Sequence, residues 1–260
     1  TGTATEIIAN DGSSNAGNLY SYDTGTETDR AFGSIGSGNL AIGDMYWGVR
    51  LVNNTGAVLN SITVSYSGEQ WRNSGASAQT MYFSYLVGSP TVTGSLAEFQ
   101  STAVDVPLLN FISPTTGGTA VALNGNLAVN RTTLTYTITN MNVPNGSEFI
   151  LRWADPDHSG ADHGLSIDDL SISWTVAPPL TVTINQASTQ SDPTSDLNLD
   201  FTAVFSKPVT GFTSSDVNLS GTVSAFSIVV TEIAPNNGTT YNVAVSGMFH
   251  SGTVIATIPA

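Results

Sequence analysis

The chain has 260 residues, enough for one large domain or two ordinary ones, and its hydrophobic content of 40% is that of a globular protein. Lys and Arg number 6 against 20 Asp and Glu, so the net charge is -14, which argues against nucleic acid as a partner because phosphate is repelled. The absence of cysteine excludes disulfides and thiolate chemistry, and no apolar run is long enough for membrane insertion.

Strand patterns dominate the first part of the chain. Residues 61–67 read Ser-Ile-Thr-Val-Ser-Tyr-Ser, and the same alternation recurs at 134–138, 149–153 and 170–174. Alternation of β-branched and aromatic residues with polar ones, broken by Gly, Asn and Pro, predicts antiparallel sheets. Only residues 95–106 favour a turn or two of helix.

Three of the tryptophans, Trp47, Trp153 and Trp174, fall in the apolar phase of their predicted strands. Large aromatic side chains in that phase bury much apolar area when the sheet packs. We therefore predict that these residues belong to the core of the first domain.

Pro178 and Pro179 mark the predicted boundary between two domains. Consecutive prolines stop a strand ladder and hold an extended connection. Long loops and numerous strands before them favour a jelly roll, and the strand spacing after them suits a seven-stranded sandwich. The predicted fold class is all-β: a jelly-roll-like β-sandwich at 1–176 followed by an Ig-like β-sandwich at 177–260.

Two stretches of the second domain carry a resemblance: FSKPVTGFTSSDVNLSG (205–221) and TTYNVAVSGMFHSGTVIATIPA (239–260). They resemble the bacterial Ig-like repeats of large surface and secreted proteins. The resemblance covers nearly the whole second domain. It implies a spacer role in tandem arrays and a longer parent polypeptide.

Three stretches of the first domain carry a second resemblance: YWGVRLVNNTG (46–56), ITVSYSGEQWRN (62–73) and LRWADPDHSGADHGLSIDDLSISW (151–174). They resemble a β-sandwich module near the start of secreted multidomain bacterial proteins, some of which carry nuclease or phosphoesterase domains elsewhere. The segment GLSIDDLSI is also similar to the last strand of MAM-type jelly rolls, whose acidic residues can lie near a cation. This resemblance covers residues 30–175 and implies an extracellular setting, not an activity.

Residues 152–169, the acidic loop, concentrate Asp and His in a chain poor in charge. The order of Asp155, Asp157, Ser159 and Gly160 follows the opening half of an EF-hand calcium loop. A serine stands where that loop has its bidentate glutamate, so other groups must close the site. We predict Ca²⁺ as cofactor, with these ligands: Asp155, Asp157, Ser159, Asp162 and Asp168.

Two other interpretations of the acidic loop stay open. Paired carboxylates can act as acid and base in a cleft. However, no second acidic cluster completes one, and His158 and His163 lack the context of known metal hydrolase motifs. Alternatively, the Asp and Gly residues only form turns here. Repulsion among the carboxylates argues against this interpretation, because without a cation nothing offsets their charges.

The segment around Trp71 offers a weaker candidate ligand site. Glu69 and Arg72 flank this tryptophan, and Tyr82 is expected to be exposed on a neighbouring strand. The group suits a sugar-stacking platform, but a buried tryptophan beside a structural Glu–Arg ion pair is the simpler interpretation.

These patterns favour a non-catalytic, extracellular structural or adhesive protein stabilised by calcium, at a bacterial cell surface or in a matrix or filament. Its expected partners are further copies of itself, other surface proteins or glycans. The alternative is a carbohydrate-binding module of a secreted multidomain hydrolase.

Overall fold

Period-two patterning becomes strand along nearly half of the chain, which is 48% strand and 5% helix. The predicted all-β class is therefore confirmed. The structure, a computed structural model, describes four ranges of the chain: 6–25, 28–38, 43–223 and 227–259. The chain divides into two units, Thr1–Ala177 and Pro178–Ala260. The division falls at the consecutive prolines, one residue after the predicted boundary.

The first unit contains the short helix α1 (Leu96–Thr102), within the stretch where the sequence favours helix, and a 3-10 turn at Pro107–Leu109. Its strands are β1 (Ile8–Asn10), β2 (Asn18–Tyr22), β3 (Ala31–Ile35), β4 (Met45–Val52), β5 (Leu59–Asn73), β6 (Thr80–Val87), β7 (Val104–Asp105), β8 (Phe111–Ile112), β9 (Val121–Ala122), β10 (Arg131–Ile138), β11 (Glu148–Asp155) and β12 (Gly164–Val176).

These strands form two sheets. The large sheet has the order β1-β2-β3-β12-β5-β10, with β9 paired to one end of β5. The small sheet has the order β4-β11-β6-β7, with β8 paired to β6. Apart from the parallel pair β1–β2, the neighbours run antiparallel.

The main core of the first unit draws side chains from strands of both sheets. Trp153 of β11 packs edge to face with Tyr66 of β5 and Phe83 of β6, at centroid distances of 5.5 Å and 5.2 Å. Trp47 joins the same cluster, 9% exposed. The prediction that Trp47 and Trp153 are core residues is confirmed.

Trp174 is an exception, because it is 58% exposed. It lies in register with the buried Ile62. However, the residues of β12 that join the core cluster are Leu165, Ile167 and Ile172. The prediction of a buried Trp174 is wrong, since strand phase sets the face of a residue but not how far the covering layer extends.

The second unit contains β13 (Val182–Gln186), β14 (Asn198–Phe205), β15 (Asn218–Gly221), β16 (Ser227–Glu232), β17 (Thr240–Ser246) and β18 (Val254–Thr257). Its sheets have the orders β13-β14-β17-β16 and β15-β18. Phe205, Phe212 and Tyr241 pack edge to face at 5.0–5.8 Å within its hydrophobic core. Within the described ranges, no helix is long and apolar enough to cross a membrane.

Candidate functional site

The acidic loop joins the end of β11 to the start of β12. A proline follows Asp155 and ends the strand, and Gly160 turns the chain at a φ of +100°. The loop then returns into β12, whose first residues are buried. The sequence thus exposes Asp157 and Ser159 while holding Asp155 and Asp162 inside.

Asp155 is the most deeply buried carboxyl of the loop, at 1% exposure. Ser34 Oγ of β3 donates a hydrogen bond to its Oδ2. Burial raises the pKa of Asp155 well above its ordinary value, and the charges of Asp162 and Asp44 raise it further. Such a carboxyl is stable only when a proton or a cation neutralises it.

Asp44 completes an aspartate cluster with Asp155, Asp157 and Asp162. Its Oδ1 accepts from the backbone N–H of Asp157 at 2.9 Å, and its Oδ2 accepts from the hydroxyl of Tyr46 at 2.9 Å. Asp44 precedes β4, far from the loop in sequence. Its role is visible only in the register of β4 with β11, where Met45 lies opposite Asp155.

Asp162 is held by the loop itself. Its Oδ1 accepts the backbone N–H of His158 at 2.9 Å and lies 3.5 Å from His158 Nδ1. Burial raises the pKa of Asp162, and the neighbouring Asp157 carboxylate raises it further. The Asp157 and Asp162 side chains are therefore close enough for their charges to oppose each other.

Asp168 does not join the aspartate cluster. It lies within β12, opposite Ser67 of β5. Burial raises its pKa, and the acidic groups that raise it further are Asp29 and Asp169, neither of which belongs to the cluster. The predicted ligands are thus divided, since the acidic groups that act on Asp168 are Asp29 and Asp169, whereas those that act on Asp155 are Asp162 and Asp44.

The fit to a metal ion is partial. Carboxylates, a serine hydroxyl and backbone carbonyls are the donors that Ca²⁺ prefers. In the described part of the chain, however, no group of three Asp, Glu, His or Cys side chains is arranged to hold one ion. A complete ligand set requires the side chains of the aspartate cluster to move closer together around one ion.

His163 has a structural role that the sequence does not reveal. Its Nδ1 accepts the backbone N–H of Ser74 at 2.9 Å, which assigns the ring proton to Nε2, 3.2 Å from the carbonyl oxygen of Ser77. Burial lowers its pKa, so the ring is neutral. His163 thereby fastens the β5–β6 connection to the acidic loop.

Trp71 offers no face to a ligand. It is 1% exposed and stacks on Tyr22 at 5.7 Å. Its indole N–H donates to Glu69 Oε2 at 2.9 Å, whereas Arg72 donates to the carbonyl oxygens of Gly12 and Ser13. The sugar-stacking platform centred on Trp71 is therefore not formed.

Tyr82, the fourth residue of that predicted platform, is 48% exposed and lies on β6 of the small sheet. Glu69 and Trp71 belong to β5 of the large sheet, as does Arg72. The structure thus divides the candidate ligand residues between two sheets. Tyr82 alone keeps the exposed aromatic surface that the prediction requires.

A cavity of about 230 Å³ borders the acidic loop, lined in part by Arg72, Ser74 and Asp162. A cleft of about 610 Å³ lies in the second unit between the segments 190–197 and 248–254. Among the predicted site residues, Asp162 and Arg72 line the cavity beside the acidic loop.

Comparison with protein-family models, with curated proteins and with solved structures finds no match for the chain. Conclusions on function therefore rest on its own sequence and on the geometry of its residues.

Proposed function

We propose that the protein is a non-catalytic structural or adhesive component of the extracellular space, built from a jelly-roll-like and an Ig-like β-sandwich. It acts at a cell surface, in a matrix or in a filament, and associates with further copies of itself or with other surface molecules. Calcium stabilises the first unit through the aspartate cluster. The resemblances in both domains support the extracellular setting.

The observation that carries the proposal is the edge strand β10. Its one strand partner in the described ranges is β5, so its other edge presents unpaired backbone groups. Its eight residues include no proline, and Arg131 at its start is its one charged side chain. A long, nearly uncharged edge of this kind pairs readily with another strand.

A neutral surface adjoins this edge and favours close approach of a partner. Hydroxyl pairs cross between the strands at 2.7 Å: Thr63 with Thr137 and Ser65 with Thr135 on β5 and β10, and Ser61 with Thr175 on β5 and β12. We call this surface the hydroxyl face. In a chain of net charge -14, an uncharged face lowers the electrostatic repulsion between like copies.

The positions of the ionisable groups support a non-catalytic role. His163 and Asp155 are buried and hydrogen-bonded to neighbouring loop and strand atoms. Glu69 is buried against Trp71. A general acid or base has to reach its substrate within hydrogen-bond distance, and these groups hold the fold instead.

Assembly of the purified chain tests the proposal. We expect oligomers by light scattering, and strand-paired assemblies by electron microscopy, when the chain is concentrated with calcium. Thr135→Lys places a charge on the β10 edge and abolishes assembly. Thr119→Lys makes the same change on an exposed loop and leaves assembly intact. Dispersed monomers under all ionic conditions contradict the proposal.

A further inference from the structure

Two tyrosines flank an alanine on the outer face of the small sheet. Tyr46 of β4 and Tyr82 of β6 both lie in register with Ala154 of β11, which runs between those strands. Residues in register share a face, and neighbouring strands are about 4.8 Å apart, so the tyrosines stand roughly 10 Å apart. Their chain neighbours, including Trp47 and Phe83, are buried on the opposite face. We call this arrangement the tyrosine slot.

A row of polar groups lies next to the tyrosine slot. Arg152 of β11 is in register with Ser84 of β6, and its Nε donates to Ser84 Oγ at 3.2 Å. Its guanidinium carbon lies 5.1 Å from the centre of the Tyr46 ring. Asp105 of β7 is in register with Ser84 and contributes a carboxylate. The buried Ser84 thus holds Arg152 in place, and the row presents a guanidinium and a carboxylate beside two aromatic rings.

The charges around the tyrosine slot disfavour an anionic ligand. Arg152 interacts with the charge of Asp105, and Arg50 lies 3.7 Å from Glu148. Asp44 accepts a hydrogen bond from the hydroxyl of Tyr46 and adds a third carboxylate. In a chain of net charge -14, a surface whose two arginines lie beside three carboxylates does not recruit an anion. A neutral ligand rich in hydroxyl groups suits such a surface.

We propose that the tyrosine slot binds a neutral pyranose unit of a glycan. A pyranose has an apolar C–H face that packs on aromatic rings and a rim of hydroxyls that both donate and accept hydrogen bonds. Tyr46 and Tyr82 supply the aromatic surface, and Arg152 and Asp105 supply the polar partners. The inference rests on the proposed adhesive function, for which it names the partner.

A glycan array followed by calorimetric titration of the best neutral glycan tests the inference on the full chain. We expect binding to neutral glycans and none to anionic ones. Tyr82→Ala removes one wall of the slot, and Ala154→Gln fills its floor without removing an aromatic ring. Each change weakens binding roughly tenfold or more, the equivalent of about 1.4 kcal/mol.

Phe249→Ala is the matched control, because Phe249 is an exposed aromatic residue, at 84%, in the second unit and outside both the tyrosine slot and β10. It leaves glycan affinity unchanged, and circular dichroism verifies that each variant folds. The inference is overturned by an array without neutral hits, by equal affinity of Tyr82→Ala and the unaltered chain, or by preference for a proline-rich peptide. Tyr82→Ala still assembles with calcium, so failure of this test leaves the proposed function standing.

Discussion

The carboxyl group of Glu69 is buried in the first unit. It is 1% exposed, and its Oε1 has no hydrogen-bond partner among the described residues. Burial raises the pKa of Glu69 to about 7. The hydrogen bond from Trp71 lowers this pKa, whereas the charges of Asp168 and Asp29 raise it.

The raised pKa of Glu69 predicts a pH-dependent stability. The folded state binds the proton more tightly than the unfolded state, so this group's contribution is fully present below pH 4.5 and is lost as the pH rises through about 7. The loss amounts to about 3 kcal/mol. Urea unfolding at pH 4.5 and pH 8 measures it, and Glu69→Gln removes most of the difference. An unchanged difference in the variant contradicts the prediction.

His163 predicts a second effect at this scale. His163→Ala leaves the Ser74 N–H and the Ser77 carbonyl without partners and opens a cavity between the acidic loop and the β5–β6 connection. We expect a loss of about 2 to 4 kcal/mol in the free energy of unfolding. The exposed His250 is the control, because His250→Ala changes nothing comparable. A loss below about 0.5 kcal/mol for His163→Ala is incompatible with its assigned role.

At the scale of the elements, the stability of the acidic loop depends on how its carboxylates are neutralised. We expect calcium at about 100 times its dissociation constant to stabilise the first unit by roughly 2.7 kcal/mol relative to chelator, which raises its unfolding midpoint by about 5–10 °C. Asp155→Asn abolishes the calcium response. In chelator at pH 8, however, the Asp155→Asn variant is more stable than the unaltered unit. The raised pKa of Asp155 means that the folded unit loses stability when this carboxyl ionises as the pH rises, and asparagine does not ionise.

Asp169→Asn is the matched control for calcium, since Asp169 is exposed and lies outside the aspartate cluster. Calorimetric scans of the three proteins, with calcium and with chelator, give the comparison. If the unaltered chain melts at the same temperature in both, the aspartate cluster is neutralised by protons alone.

Strands and turns were predictable from local patterns. Residues 61–67 alternate hydroxyl and apolar side chains, and β5 buries Ile62, Val64 and Tyr66 while its hydroxyls form cross-strand pairs. Trp174 was not predictable by the same rule. It has the correct phase, but its exposure depends on the extent of the layer that covers β12, which alternation does not encode.

For the whole molecule, the division after Ala177 predicts two independently folding units. Each has its own hydrophobic cluster, around Trp153 in the first unit and around Tyr241 in the second. Residues 1–177 and 178–260, produced separately, are expected to unfold cooperatively, each at a midpoint within a few degrees of the corresponding transition in the full chain. Loss of cooperative unfolding in either fragment contradicts the prediction.

By itself, the sequence determined the all-β class and the position of the division between the two units. Both follow from local effects on the backbone, namely period-two alternation and consecutive prolines. It also showed that the acidic loop concentrates aspartates. Only the tertiary structure decided which groups meet: Asp44 joins the loop, Asp29 and Asp169 act on Asp168, and Tyr46 lies across from Tyr82. The physical reason is strand pairing, since register brings distant residues onto one face and no local pattern specifies which strands are neighbours.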